Sequence, residues 1–289
     1  MPETANVGFF AAYELWRDPM VVALLSAGLC GFVGVFIVLK RVVFVSAALS
    51  QLSGVGVALF FWLAAVVGLD AHHPPLWANP LWFALAFAVG GSALFSLQLG
   101  HRRLSGESAI GLGYLVAASL VLIVLNSPRI AQEAHEVNDL LYGNAVAVAP
   151  EQIQIMAAVA AIVFGTHALF HKELVFVSFD PEMARSLGYR TRSWNLLLFV
   201  TIGVAISVAT RAIGALPVFG FMIIPPAAAL LLATRLRSVF VLAVGIALAS
   251  AGLGYYVSFV FSLPTGATMV VVAALFLVPG LLNLARGAR

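Results

Sequence analysis

Long apolar runs recur along the whole chain, and they constrain its fold more than any other feature. A helix needs about 20 residues to cross the hydrocarbon core of a bilayer, and runs near that length follow one another to the end of the sequence. Because unpaired backbone groups are not tolerated in lipid, such runs predict membrane-spanning helices. We predict an all-α, polytopic bundle of about nine spans, within a range of eight to ten: 20–39, 48–69, 80–99, 108–125, 151–170, 193–210, 212–234, 239–260 and 265–284.

The low charge content supports this prediction. Asp, Glu, Lys and Arg make up 9% of the chain, whereas a typical soluble domain carries about 25%. This excludes a soluble enzyme, a disordered chain and a collagen-like fibre. We predict one transmembrane domain over residues 1–289, in contact with the lipid bilayer, and the net charge of +3 is too small to indicate nucleic acid.

The distribution of basic residues predicts the orientation. If the segment after the first span is cytoplasmic, 12 of the 15 Lys and Arg residues lie inside, which is a strong positive-inside bias. Arg17, Arg129 and Arg211 then lie outside. The N-terminus is expected outside and the C-terminus inside, with residues 1–18 as an interfacial segment rather than a signal peptide.

Polar side chains at the start of the second span are candidates for a transport path. Ser46, Ser50 and Ser53 share one helical stripe, and Gln51 lies beside them. Such a stripe suits the wall of a polar path, but intramembrane hydroxyls also bond neighbouring helices. Both interpretations stay open.

The seventh span contains prolines that predict a break or a sharp kink. Pro217, Pro225 and Pro226 each lack a backbone donor. Broken helices at membrane depth are tolerated where they are buried or line a cavity. The segment is therefore either a gate or a kinked structural helix.

The expected outer loops hold weak candidates for metal ligands. His72 and His73 are adjacent in one loop, and in a later helical segment His135 and Asp139 would lie four residues apart on one face. This spacing can bind a divalent ion, although loop charges are more often simply solvated.

No motif for chemistry occurs in the chain. It lacks a P-loop and the HExxH, GxSxG and CxxC patterns. The interiors of the predicted spans contain no Asp or Glu, which disfavours proton-coupled pumping. Energy for any transport is therefore expected from a partner protein.

The longest expected cytoplasmic loop, residues 171–192, contains the signals of a short helix. Asp180 can cap it, Pro181 suits its first position, and Gly188 can close it. A short amphipathic helix within a basic loop is a plausible contact for a cytoplasmic protein.

Four segments together resemble the permease subunit of bacterial zinc/manganese-type ABC transporters. They are 34–41 running into 48–50, then 179–188, 214–229 and 264–270, and their order and spacing match over nearly the whole length. The second and third segments also resemble vitamin B12 and siderophore permeases, whereas the first and fourth favour the metal-ion family.

This resemblance implies a set of partners and a role for the inner helix. The permease would form a homodimer in the cell (inner) membrane, with ATPase subunits on its inner face and an extracytoplasmic solute-binding protein. It would bind no cofactor, since ATP is used by the partner. The resemblance assigns coupling to the ATPase to the inner helix, through Asp180, Pro181, Glu182, Arg185 and Gly188.

The chain departs from the family pattern at two positions. Family members commonly carry an Asp and, four residues later, a His at the start of the second span, where this chain has Ala47 and Gln51. Three explanations stay open: ions pass without tight coordination, other groups such as the serines or Met222 substitute, or the substrate differs. A permease for a metal chelate or other small solute, and a non-transporting scaffold or sensor, therefore remain alternatives to a zinc or manganese permease.

Overall fold

The computed structural model describes residues 13–69, 75, 78–98, 105–128 and 150–287. Throughout these ranges the regular structure is helical, with no strand. The helices are α1 (Tyr13–Leu39), α2 (Phe44–Val67), α3 (Pro80–Gln98), α4 (Gly106–Leu125), α5 (Pro150–Leu169), α6 (His171–Phe179), α7 (Pro181–Ser186), α8 (Thr191–Ile213), α9 (Ala215–Leu232), α10 (Leu236–Phe261), α11 (Thr265–Leu275) and α12 (Leu277–Gly287).

The predicted spans are confirmed. Within the described ranges, 9 segments are long and apolar enough to cross a membrane: α1 to α5, α8, α9, α10, and α11 together with the first half of α12. Apart from the start of α1, each helix end lies within 4 residues of the predicted boundary. Hydrophobicity alone therefore located the helices, because in lipid an apolar run of this length must satisfy its backbone within a helix.

Helix α1 begins earlier than the predicted first span. It starts at Tyr13 and continues through Pro19 to Leu39, so residues 13–18 are its first turns. The interfacial location of residues 1–18 stays a prediction. Pro19 is the seventh residue of this helix, where it removes one i→i−4 backbone hydrogen bond without ending the helix. Residues 1–12 lie outside the described residues.

The sequence predicts a break or a sharp kink at the prolines of the seventh span, and the structure shows no break at Pro225 or Pro226, because α9 continues through both. Gly214, with a φ of 90°, joins α8 to α9 close to the predicted boundary between the sixth and seventh spans. Pro217 causes no break because it lies in the first turn of α9, where backbone donors have no intrahelical acceptor. A kink at Pro225 and Pro226 stays a prediction.

The sequence interpretation missed one helix and one division within a span. The expected inner loop 171–192 contains α6 (His171–Phe179) in addition to the predicted short helix, which is α7. Helix α6 has few residues and mixed polarity, so it lacks the long apolar signal of a span. The ninth span is divided at Phe276 into α11 and α12.

The helices pack around a central α1. This helix packs along α9 and α10 and contacts α5 and α8, and these elements share the larger apolar core. Helix α2 packs along α3 and α4 around a smaller apolar cluster. Helix α8 connects the two groups, because it packs against α3 on one side and α1 on another.

Glycines allow the closest of these helix contacts. A Cβ added at Gly34 of α1 would collide with the backbone carbonyl of Met222 in α9, and one at Gly203 of α8 would collide with the Ser92 side chain in α3. Pro226, four residues after Met222, cannot donate to that carbonyl. The carbonyl therefore lies against the one residue type that leaves it room.

The bundle has two chemically different ends. Near the end of α8, Arg211 shares a cavity of about 230 Å³ with Asn79, Glu151 and Gln152, which begin α3 and α5. Near the start of α8, Asn195 contacts Lys40, which follows α1. We call these the Arg211 end and the Lys40 end. Residues 171–190 lie at the Lys40 end, on the side to which the sequence assigns the cytoplasm, and the absolute orientation stays a prediction.

The contact at Gly34 generates a stability prediction. Gly34→Ala should lower the free energy of unfolding by about 1–3 kcal/mol, because overpacking forces α1 away from α9. Thermal unfolding of the purified protein in detergent measures the change. The matched control is Gly165→Ala in α5, where an added Cβ meets nothing within 4 Å. Equal melting temperatures for the two variants would contradict the proposed close contact.

Candidate functional site

The serine stripe of α2 is buried against α8. Ser46, Ser50 and Ser53 are each at most 1% exposed. The hydroxyl oxygens of Ser53 and Ser207 lie 3.0 Å apart, and the Thr210 hydroxyl donates to the Ser50 hydroxyl at 3.3 Å. The Ser46 hydroxyl donates to a backbone carbonyl three residues earlier, at 3.0 Å. The structure thus brings the stripe together with hydroxyls of α8, which is the arrangement expected of interhelical packing.

Ala47 and Gln51 lie one turn apart on a different face of α2 from the serines. Both are partly exposed, and the Gln51 side chain makes no hydrogen bond to another described residue. An amide in this state keeps its carbonyl oxygen available as an acceptor. Of the predicted path residues on α2, Gln51 is therefore the one whose side-chain polar atoms have no partner in the described part of the chain.

Met222 is not brought to this site. Its side chain is fully buried in the larger core, and its backbone packs against Gly34. Pro217, Pro225 and Pro226 are also buried in α9. A role of these residues in gating requires that α9 move relative to α1, and it stays a prediction.

The predicted outer-loop ligands His72, His73, His135 and Asp139 lie outside the described residues. Within the described part, no three or more His, Cys, Asp or Glu side chains form a group that could hold a metal. The cavity at the Arg211 end offers one carboxylate, from Glu151, beside the cationic Arg211. This pairing of charges does not make a cation site.

The predicted inner helix is confirmed in its local details. The Asp180 carboxylate accepts the Met183 backbone N–H at 2.9 Å, Pro181 occupies the first helical position, and Gly188 has a φ of 85°. The Tyr189 N–H donates to the Ala184 carbonyl at 3.0 Å, which closes the turn after α7. Asp180, Pro181 and Gly188 thus take the capping, first-position and closing roles that the sequence predicted.

Helix α7 presents an unusual surface. Ala184 is its buried contact with the rest of the protein, and Glu182 and Arg185 are exposed. Phe179 at the end of α6, Met183 within α7 and Leu187 directly after α7 are 73%, 54% and 60% exposed. A cluster of exposed large apolar residues flanked by charges is typical of a protein contact surface. We call residues 179–188 the coupling segment.

The sequence interpretation missed a contact beside the coupling segment. The Lys40 ammonium donates to the side-chain oxygen of Asn195 in α8 at 2.7 Å, and it lies 3.4 Å from the Val177 carbonyl in α6. Burial lowers the pKa of Lys40 to about 8. From sequence, Lys40 counted only as a topogenic charge. No local signal identifies this contact, since the two partners are 137 and 155 positions away in the sequence.

Comparisons with known proteins agree with this geometry. The family model of the ABC 3 transport family matches residues 12–283. The manganese transport system membrane protein MntC of Listeria monocytogenes is 27% identical over 263 residues, covering 91% of this chain and 88% of that protein. The manganese import system permease protein ScaB of Streptococcus gordonii is 24% identical over 263 residues, covering 91% and 89%.

A solved structure shares the fold. PsaBC from Streptococcus pneumoniae in complex with Fab contains a chain that superposes with a TM-score of 0.77 at 23% identity. The match covers 94% of both chains. At this identity the likeness shows that the two chains share a fold.

The buried serine pairs generate a second prediction. If Ser53 and Ser207 pack the helices together, Ser53→Ala should lower the free energy of unfolding by about 0.5–2 kcal/mol, since interhelical hydrogen bonds in membranes average about 0.6 kcal/mol and the orphaned partner adds a cost. The double variant with Ser207→Ala should cost less than the sum of the single changes.

The control is Ser119→Ala, because the Ser119 hydroxyl bonds the Leu115 carbonyl of its own helix at 2.8 Å. Additive effects at Ser53 and Ser207, measured by chemical unfolding in mixed micelles, would contradict a direct bond. They would favour the alternative in which the stripe lines a hydrated path.

Proposed function

Because the chain belongs to the ABC 3 transport family, we propose that it is the membrane permease of an ABC importer for a divalent metal ion, with manganese the leading substrate and zinc the second. The match of the family model to residues 12–283 carries the proposal. The named manganese permeases that cover 91% of the chain support the choice of ion. Two copies of the chain form the conduit, and a separate ATPase and an extracytoplasmic binding protein complete the importer in the cell membrane.

The permease supplies a path and no chemistry. ATP hydrolysis in the partner switches the path between an outward and an inward opening, and the coupling segment receives that force. Its exposed apolar residues and the charges of Glu182 and Arg185 suit a protein partner. The buried contacts of α2 with α8 support a closed path in the described conformation.

The residues at the family's ligand positions favour manganese over zinc. Gln51 offers an amide oxygen, and Ala47 offers no ligand. Oxygen ligands suit Mn²⁺, whereas imidazole and thiolate suit Zn²⁺. An ion held by one neutral oxygen and water is bound weakly, which allows it to leave.

The third prediction tests transport directly. The chain is reconstituted in proteoliposomes with its ATPase and binding protein, and uptake of radiolabelled manganese and zinc is measured. We expect uptake that requires ATP and is lost when the catalytic glutamate of the ATPase is replaced, because the permease has no energy source of its own. Uptake that is unaffected by inactivating the ATPase would contradict the proposal.

The same system separates the alternatives. ATP-dependent uptake of a chelate, with none of the free metals accumulated, would favour a chelate permease. Glu182→Ala and Arg185→Ala should weaken both ATPase binding and uptake. Arg237→Ala, an exposed arginine at the start of α10 at the same end of the bundle, is the matched control. Intact ATPase binding without any transported solute would favour a scaffold.

The fourth prediction concerns the ion preference. Gln51→Leu should raise the manganese concentration for half-maximal uptake by about tenfold, the equivalent of about 1.4 kcal/mol, because it removes the amide oxygen. Ala47→Asp combined with Gln51→His should shift the preference toward zinc, since it adds a carboxylate and an imidazole.

Thr166→Val in α5 is the control, because the Thr166 hydroxyl bonds its own helix at 2.8 Å. An unchanged ion response in both Gln51 variants would place the path away from this face of α2. Competition assays with the two ions give the readout.

A further inference from the structure

Lys40 joins three helix ends that are far apart in sequence. It follows the last residue of α1, its ammonium bonds Asn195 in the first turns of α8 at 2.7 Å, and it reaches the Val177 carbonyl in the last turn of α6 at 3.4 Å. We call this contact the Lys40 junction. Helices α6 and α8 are the elements that directly precede and follow the coupling segment, so one side chain holds both of its flanks.

The Val177 carbonyl has a specific reason to need this donor. In a continuing helix it would accept the backbone N–H of residue 181, four positions later. That residue is Pro181, which has no N–H. The Lys40 ammonium supplies a donor in its place and brings a positive charge to the negative end of the α6 dipole. The proline that starts α7 thus creates the acceptor that Lys40 uses.

Hydrophobic packing does not explain why a lysine occupies position 40. Among the described residues the salt bridge within 4.0 Å joins Arg17 to Asp18, so Lys40 has neutral oxygens as its partners there. A partly buried ammonium without a carboxylate carries a desolvation cost. A methionine would fill the same space without this cost, but it could not hold two helix ends through hydrogen bonds.

Helix α7 has little other attachment to the bundle. Ala184 is its buried residue, whereas Leu174 and Val177 anchor α6, at 1% exposure each. A force on the exposed residues of α7 therefore reaches the spans through α6 and the start of α8. Both of these elements meet at Lys40.

We propose that Lys40 is a positioning residue that ties the flanks of the coupling segment to α1, so that movement of this segment displaces the transmembrane helices. The proposal rests on the proposed function of an ATP-driven permease. Lys40 touches no substrate and contributes no ligand. Its role is to keep α6 and α8 moving together with α1 when the ATPase pushes on α7.

The experiment measures metal ions transported per ATP hydrolysed by the reconstituted complex. Lys40→Met should lower this ratio by about fivefold or more, the expected effect of losing a charged hydrogen bond, while the ATPase still copurifies and still hydrolyses ATP. Asn195→Ser, whose hydroxyl is too short to reach the ammonium, should lower it in the same way. Lys40→Arg should restore the ratio, because a guanidinium can donate to both acceptors.

Lys172→Met is the matched control, since Lys172 is exposed on α6 near the same segment. Amide hydrogen exchange of residues 181–190 in the isolated permease is the second readout, and it should accelerate in Lys40→Met and not in Lys172→Met. A ratio in Lys40→Met equal to that of the wild type would overturn the proposal. So would unchanged exchange, or aggregation of both Lys40→Met and Asn195→Ser, which would indicate a folding role.

The outcomes also separate this proposal from the proposed function. A wild-type complex without ATP-dependent uptake would overturn the function, whereas the exchange measurement needs no transport. If the wild-type complex showed no ATP-dependent uptake but exchange were still accelerated in Lys40→Met, Lys40 would tie the coupling segment to α1. Its proposed role in transport would be overturned. A wild-type complex that transports, with a lowered ratio in both junction variants and rescue by Lys40→Arg, supports both proposals.

Discussion

The absence of water in the bilayer core is the constraint on which this structure depends. Each backbone group there must find a partner within the protein, so the spans are helices and turns such as Gly214 are confined to helix ends. Pro226 has no N–H to donate to the Met222 carbonyl, and that carbonyl lies against Gly34 of α1.

The Lys40 end connects with the interior through two helices. Helix α1 runs from Lys40 past Gly34 and Gly31, where it touches the backbones of α9 and α10. Helix α8 runs from Asn195 to Ser207, which pairs with Ser53 of α2, the helix that carries Gln51 on another face. A displacement of the coupling segment therefore reaches α2 along α8 and reaches α9 along α1. The two polar contacts on these routes, Lys40 with Asn195 and Ser53 with Ser207, each join residues of two separate helical elements.

Local signals in the sequence predicted much of this arrangement, because hydrophobic length and capping act over short distances. The nine spans and the Asp180–Gly188 helix depend on neighbouring residues alone. The contacts of Lys40 with Asn195 and of Ser53 with Ser207 join residues more than 150 positions apart, so no local pattern contains them. The continuation of α9 through Pro225 and Pro226 was likewise not given by a local pattern, and the Met222 carbonyl, which Pro226 cannot serve, lies against Gly34 of α1.

The substitution of Ala47 and Gln51 for a carboxylate and an imidazole bears on where an importer of this kind discriminates between ions. Zn²⁺ binds nitrogen and sulfur ligands more tightly than Mn²⁺ does, so a manganese path that carries an imidazole risks being blocked by zinc. A single amide oxygen binds both ions weakly and leaves neither trapped when the path opens inward. On the proposed function, the oxygen ligand of Gln51 lets manganese pass without giving zinc the nitrogen ligand that would hold it. The role of α2 is then to release the ion once α8 has moved.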